Sequence, residues 1–338
     1  MDVEKRLELI KRNVAEILTE QELVSLLREK KRLFAYYGTA PTGPFHIGYL
    51  VPLSKLFDFM SAGIKTKILL ADIHAALDDL KTPWEETEKR TAYYKKCIEL
   101  ALPWQETPNF VIGSSFQLEK AYSLDVLKLS TLTTVERAKR AASEVTRMKS
   151  PKVSELIYPI MQALDEEYLG VDMQLGGLDQ RHIFAYAREW LPKLGYKKRV
   201  EIMTPLVLSL KGPGTKMSAS IPASHIKIYD SEEQIAAKLS AAYCPAGEIA
   251  NNPVLQICRH IIFPIVGRLT IERQERFGGR AEFESYAELE QAFVEKKLHP
   301  ADLKKGVADA LTKLFSKARK WFEQNKQVLE ELGQTFLP

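Results

Sequence analysis

With 338 residues, 45% of them hydrophobic, the chain can bury a substantial core, and its length suggests two domains. A net charge of +4 proves no nucleic-acid partner, though it is compatible with one where the charge is local. The three cysteines, Cys97, Cys244 and Cys258, have neither C-x-x-C spacing nor a histidine cluster, the N-terminus is charged, and no apolar run nears the ~18 residues of a membrane span; a disulfide framework, a zinc site, a secretory leader and a membrane anchor are therefore not expected, and a cytoplasmic protein is.

Residues 1–31 read as two helices, with Val3, Leu7, Ile10, Val14 and Ile17 at helical spacing and Thr19-x-x-Glu22 as a capping box. The apolar run Leu33–Tyr37 then leads into APTGPFHIGY, Ala40–Tyr49. A strand ending in Gly38, Pro41, Gly43 and Pro44 must turn sharply, and its glycines, with Gly48 after them, let backbone approach a ligand closely. His46 follows at a helix start, where unpaired N–H groups and the positive dipole end favour phosphate and an imidazole adds a donor. That helix carries Leu50, Leu53, Leu56, Phe57 and Met60 and stops near Gly63. Ile64–Asp72 reads as a buried strand followed by a helix over 85–101; with Phe110–Ile112, Val171–Leu175 and Val200–Met203, the alternation predicts an α/β chain with a Rossmann-like parallel sheet. Ligands of such sheets lie beyond the carboxyl ends of the strands, where His46, Asp72, His74 and Gly176-Gly177 fall.

Between Lys128 and Lys152, seven basic residues (128, 137, 139, 140, 147, 149, 152) meet only Glu136 and Glu144. The excess is either a solvated helix face or a phosphate contact. In Tyr158–Asp179, Gln162 and Asp165 stand one helical turn apart beside the stripe Ile157, Met161, Leu164, Tyr168, so their side chains can converge on one ligand; Pro159 either opens this helix, with Tyr158 as its cap, or kinks it. Asp165, Glu166 and Glu167 taken alone would be an acidic exposed surface. Further on, Lys216-Met217-Ser218-Ala219-Ser220 lies in a glycine- and proline-rich loop, 211–221. From about Asp230 strands give way to helices, one starting at Ser231 with Glu233 and Gln234, another carrying Leu303, Val307, Leu311, Leu314, Ala318 and Phe322.

The HIGY and KMSAS stretches resemble the HIGH and KMSKS signatures of class I aminoacyl-tRNA synthetases. YPIMQALD, followed by GVD and GGLDQ, resembles the tyrosyl-tRNA synthetases of the archaeal and eukaryotic type, and the likeness extends to AYYGTAPTG, ILLADIHAAL, AYCPAG, RFGG and LHPADLK, nearly the whole chain. It implies N-terminal helices to residue 32, a Rossmann-like catalytic domain over 33–229 with a helical insertion around 113–170, and an α-helical anticodon-binding domain over 230–338. The implied activity is a tyrosine–tRNA ligase, a homodimer that joins tyrosine to tRNA(Tyr) using ATP with Mg²⁺, without a separate protein cage for the metal.

By matching position, Tyr36 and Asp165 are expected to hydrogen-bond the substrate phenol, with His74 lining its pocket. Tyr158, Gln162 and Gln180 would hold the amino group and carboxylate. Gly38, Gly43, His46, Gly48, Asp179 and Lys216 would hold ATP, with Asp179 on the ribose, and His46, Lys216, Ser218 and Ser220 would stabilise the reacting phosphates. Arg140 would meet the acceptor stem, and Phe277, His299 and Asp302 the first anticodon base. Two departures stand out: Tyr49 replaces the last histidine of HIGH, and Ala219 replaces the central serine or lysine of the loop. KMSAS also suits tryptophanyl enzymes, which leaves a tryptophan ligase and a non-catalytic RNA- or tyrosine-binding relative as alternatives.

Overall fold

The computed structural model describes residues 1–106, 108–145, 150–214, 217, 219 and 221–337. Lys216, Ser218 and Ser220, together with Arg147 and Lys149 of the basic stretch, lie outside them. The chain divides into two compact units, one of residues 1–42, 55–95 and 106–205, the other of 43–54, 96–105 and 206–338.

The first unit is built on a six-stranded sheet of order β1-β6-β5-β2-β3-β4, comprising β1 (Glu16–Leu18), β2 (Leu33–Thr39), β3 (Ile64–Leu70), β4 (Phe110–Ile112), β5 (Met173–Gly177) and β6 (Val200–Thr204). All neighbours are parallel except β1, which pairs antiparallel with β6. Central strands covered on both faces need continuous apolar sequence, and Leu33–Tyr37 and Ile68–Leu70 supply it. The Rossmann-like expectation holds. β1 was not foreseen, because three residues between two helices carry no readable period.

Helices α1 (Val3–Lys11) and α2 (Glu20–Glu29) flank β1, and the Thr19–Glu22 capping box forms as read. The buried Lys55 ammonium caps α1, donating to the Leu9 carbonyl at 2.6 Å and to the Asp58 carboxylate at 2.9 Å. It stands in α3 (Leu50–Ser61), which ends before Gly63 as expected. Next come α4 (Asp72–Leu77) and α5 (Thr87–Ala101), then the helices between β4 and β5: α6 (Ser114–Gln117), α7 (Lys120–Leu132), α8 (Val135–Ala142) and α9 (Val153–Tyr168). With α10 (Arg181–Trp190) they enclose a core of Tyr122, Leu129, Ala141, Met161, Leu164 and Tyr186. Pro159 lies inside α9, whose N-cap is Lys152, so Tyr158 does not cap the helix. Asp165 and Glu166 are buried, which overturns an exposed acidic surface for both.

In the second unit, helices Glu232–Ser240, Tyr286–Val294, Pro300–Leu314 and Ser316–Gln324 predominate. Two corrections apply. An antiparallel hairpin, β7 (Leu269–Ile271) with β8 (Ala281–Phe283), interrupts the helices, its strands again too short to show a period. The apolar stripe 303–322 belongs to two helices that meet at buried Phe315. Among the described residues no helix is long and apolar enough to cross a membrane.

Candidate active site

In the first unit α4, α6 and α9 meet one another and bring buried polar side chains to the neighbourhood of Tyr36 on β2. Tyr36, in the middle of β2, is fully buried among Leu69, Ala71, Leu169 and Val171. Across the sheet its register neighbours are Lys67 on β3 and Gln174 on β5, and Gln174 is in turn opposite Glu201 on β6.

Asp165, on α9, is held from one side. Its Oδ1 accepts from Gln117 Nε2 at 2.8 Å and from the Tyr122 hydroxyl at 2.8 Å. Its Oδ2 has no hydrogen-bond partner, and the buried Tyr36 hydroxyl likewise has none. His74 Nε2 stands 3.8 Å from Oδ2, too far for a hydrogen bond. Burial raises the Asp165 carboxyl to about 7 against the pull of the Gln117 and Tyr122 hydrogen bonds. It lowers His74 to about 4, which leaves that imidazole neutral. Tyr36 is pushed far up by burial and then by the Asp165 charge, so its hydroxyl keeps its proton and can donate.

The Tyr158 ring meets His74 edge-on, with centroids 4.7 Å apart. One turn before Asp165, Gln162 Nε2 donates to Gln180 Oε1 at 3.0 Å, and Gln180 Nε2 reaches Asp179 Oδ1 at 3.4 Å. Asp179 and Gln180 sit in a 3₁₀ turn just beyond β5. All of Tyr36, His74, Tyr158, Gln162, Asp165, Asp179 and Gln180 thus fall in this unit, as does Gly38 within β2.

Gln117 and Tyr122 were not singled out from the sequence. Gln117 had a signal: it follows β4 as Asp72 and His74 follow β3, at a strand's carboxyl end. Asp72 Oδ1 accepts from the Ser114 amide at 2.8 Å and so fixes the start of α6, which carries Gln117. Tyr122 reaches the pocket from a helix, through a contact no local spacing encodes.

The second unit holds the HIGY turn. His46 is buried and caps a 3₁₀ turn, Ile47–Tyr49, its Nδ1 accepting from the Gly48 amide at 3.1 Å. Burial, and then His225, holds the imidazole well below its ordinary value, so the ring is neutral with its proton on Nε2. Its ring centroid lies 4.6 Å from that of Tyr49 and 5.0 Å from that of His225.

Glycine is required in this turn. A Cβ on Gly48 would lie 2.8 Å from His46 Cε1, and one on Gly43 would lie 2.9 Å from the Ala219 Cβ. A Cβ on Gly48 would also lie 3.7 Å from Met217 Sδ, so the two signature stretches come close within one unit. Ala219 is the residue that departs from the consensus, and its methyl already fills the space beside Gly43.

Of the expected RNA-contacting residues, Arg140 is exposed on α8. Within the basic stretch, Lys128 pairs with Asp125, Arg137 with Glu189 and Lys152 with Asp79, whereas Lys139 is exposed beside Arg140. Phe277 is 57% exposed with Arg276 over its ring. His299 caps the helix Pro300–Leu314, which carries Asp302 in its first turn. Arg273 draws the two segments together, donating to the Gly279 carbonyl at 2.9 Å and the Lys297 carbonyl at 3.3 Å. Among the described residues no group of three or more His, Cys, Asp or Glu is gathered as a metal site.

The chain is similar to known proteins over nearly its whole length. The chain is similar, at 46% identity, to a tyrosine–tRNA ligase of Methanococcoides burtonii, over 94% of this chain and 100% of that one. It is 43% identical to the cytoplasmic tyrosine–tRNA ligase of Gallus gallus over 99% of its own length, and spans 64% of that relative. The crystal structure of tyrosyl-tRNA synthetase from Archaeoglobus fulgidus, complexed with L-tyrosine, matches with a TM-score of 0.90 at 43% identity, covering 94% of this chain and 99% of that one. Residues 28–316 match the family described as tRNA synthetases class I (W and Y), and the chain belongs to that family.

Proposed function

We propose that the protein is a tyrosine–tRNA ligase, activating L-tyrosine with ATP to tyrosyl-adenylate and pyrophosphate and passing the tyrosyl group to the 3′ end of tRNA(Tyr). The observation that carries this reading is the pair of buried orphans, the Tyr36 hydroxyl and Asp165 Oδ2. A phenol satisfies both, accepting from Tyr36 and donating to Asp165; an indole can only donate, and a phenyl ring can do neither. A site built to bond a substrate hydroxyl rejects the analogue lacking it by roughly 10⁴- to 10⁵-fold, the upper figure being one already known for a tyrosyl-tRNA synthetase.

Tyr158, Gln162 and Gln180 take the amino group and carboxylate, and Asp179 the ribose. Activation needs no protein acid or base, because the carboxylate is itself the nucleophile; what must be stabilised is charge on the α-phosphate and leaving pyrophosphate. His46 offers a neutral Nε2–H donor to phosphate from a turn that Gly43 and Gly48 keep tight. Lys216, Ser218 and Ser220 grip pyrophosphate, and ATP arrives as its Mg²⁺ complex. Arg140 contacts the acceptor stem, while Phe277, His299 and Asp302 read the first anticodon base. A second copy pairs along α7, where Leu124 and Leu127 are 49% and 63% exposed and Leu132 and Val135 extend the apolar surface. The cytoplasm is the place of action, as in the Gallus gallus relative's name.

The test is ATP–pyrophosphate exchange without tRNA, run in parallel with tyrosine, tryptophan and phenylalanine. Exchange with tyrosine alone is expected. Exchange with tryptophan would remove Asp165 as phenol acceptor, and none with any of the three would leave a binding protein without catalysis.

A further inference from the structure

The segment 225–229 has two neighbours in the second unit. On one side it holds the HIGY turn: the His225 ring lies against His46, the Ile226 carbonyl accepts from the Ile47 amide at 2.9 Å, and Lys227 forms a β-bridge with His46. On the other it holds the turn Gln334–Phe336. Lys227 Nζ donates to the Thr335 carbonyl at 3.2 Å and to the Leu337 carbonyl, and the Tyr229 hydroxyl donates to the Phe336 carbonyl at 2.8 Å. Lys227 and Tyr229 are 5% and 4% exposed, and Phe336 is 1% exposed. The Asp230 carboxylate accepts from the Lys227 amide at 2.8 Å and from the Lys238 ammonium. The buried Lys227 ammonium therefore makes its hydrogen bonds to tail carbonyls, and a cation withdrawn from water is stable only while such acceptors stay in place.

We infer that Lys227 is a positioning residue for His46, and that the turn 334–337, by supplying its acceptors, sets the geometry of the phosphate-binding turn. The inference rests on the ligase reading for the role of His46; the coupling itself does not. Without the tail contacts, Lys227 must reach water, the bridge to His46 loosens, and the Nε2–H donor loses its aim. Misplacing a group by about 1 Å can cost up to roughly a hundredfold in rate.

Two variants test it in the full chain. Lys227→Met keeps the length of the side chain and removes its donors; Tyr229→Phe removes one hydroxyl and keeps the ring. In each, backbone hydrogen exchange of the peptide 44–50 is expected to quicken, more in Lys227→Met, while that of β2 in the first unit stays unchanged. Single-turnover adenylate formation is expected to slow by roughly tenfold or more in Lys227→Met, with the tyrosine KM and the titre of active sites unchanged. A purely structural role would lower the titre instead, and exchange quickening everywhere, or unchanged exchange at 44–50 in both variants, overturns the coupling. Absence of tyrosine-dependent pyrophosphate exchange in the unaltered chain overturns the ligase reading and leaves the exchange contrast to decide the coupling.

Discussion

Asp165 is a buried carboxyl with one oxygen committed to Gln117 and Tyr122 and the other without a hydrogen-bond partner. A phenol that donates to Oδ2 needs the carboxylate form, and burial places the midpoint of that ionisation at about 7. Tyrosine binding is therefore expected to strengthen as pH rises: the KM for tyrosine in pyrophosphate exchange falls by about tenfold from pH 6 to pH 8, following the ionised fraction. In Asp165→Asn that slope disappears and tyrosine activation drops, while the KM for ATP changes little. Equal losses in both constants would count against the assignment. The helical spacing of Gln162 and Asp165 was readable in the sequence, but alone it left an exposed acidic surface, and the burial of Asp165 depends on the fold. Its partners were not readable, since Gln117 and Tyr122 come from other helices and only the fold brings them to it.

Where α9 packs on β6, two further carboxyls meet. Glu166 and Glu201 are fully buried, and none of their oxygens has a hydrogen-bond donor. Burial raises both, and Glu166 raises Glu201 further, so one must keep its proton; Glu166 is pushed up from 4.5 to about 8, and Glu201 well above its ordinary range. The folded chain thus binds more protons than the unfolded one between pH 4.5 and about 8, and stability falls as pH rises through that window. Glu201→Gln, which supplies an amide donor to Glu166, is expected to flatten this slope and raise stability at pH 8 by on the order of 2 kcal/mol, read as a higher urea midpoint. An unchanged pH slope would mean that the pair carries no shared proton. The elements themselves were largely legible: β2 to β6 were read as apolar runs and the long helices from their periods, and the Thr19 capping box and the helix start at Ser231 formed where read. What escaped were β1, β7 and β8, three residues each and paired antiparallel, whose existence depends on a partner strand and not on their own sequence.

At the scale of the molecule, the exposed leucines of α7 bear on assembly. If the chain pairs as proposed, replacing Leu124 and Leu127 together by aspartate is expected to leave a monomer in sedimentation; a dimer that survives would place the second copy elsewhere. The division into units was the least legible property, because the chain passes from one to the other at 42/43, 54/55, 95/96, 105/106 and 205/206. The twelve residues 43–54, which carry His46, belong with partners lying more than 150 positions later, among them Ala219 and His225. No single cut of the polypeptide can therefore release either unit whole. A ribosome that has made the first 205 residues has completed every strand of the large sheet, yet the His46 turn still waits for sequence not yet translated, so the nascent chain acquires the surroundings of Tyr36 and Asp165 before those of His46.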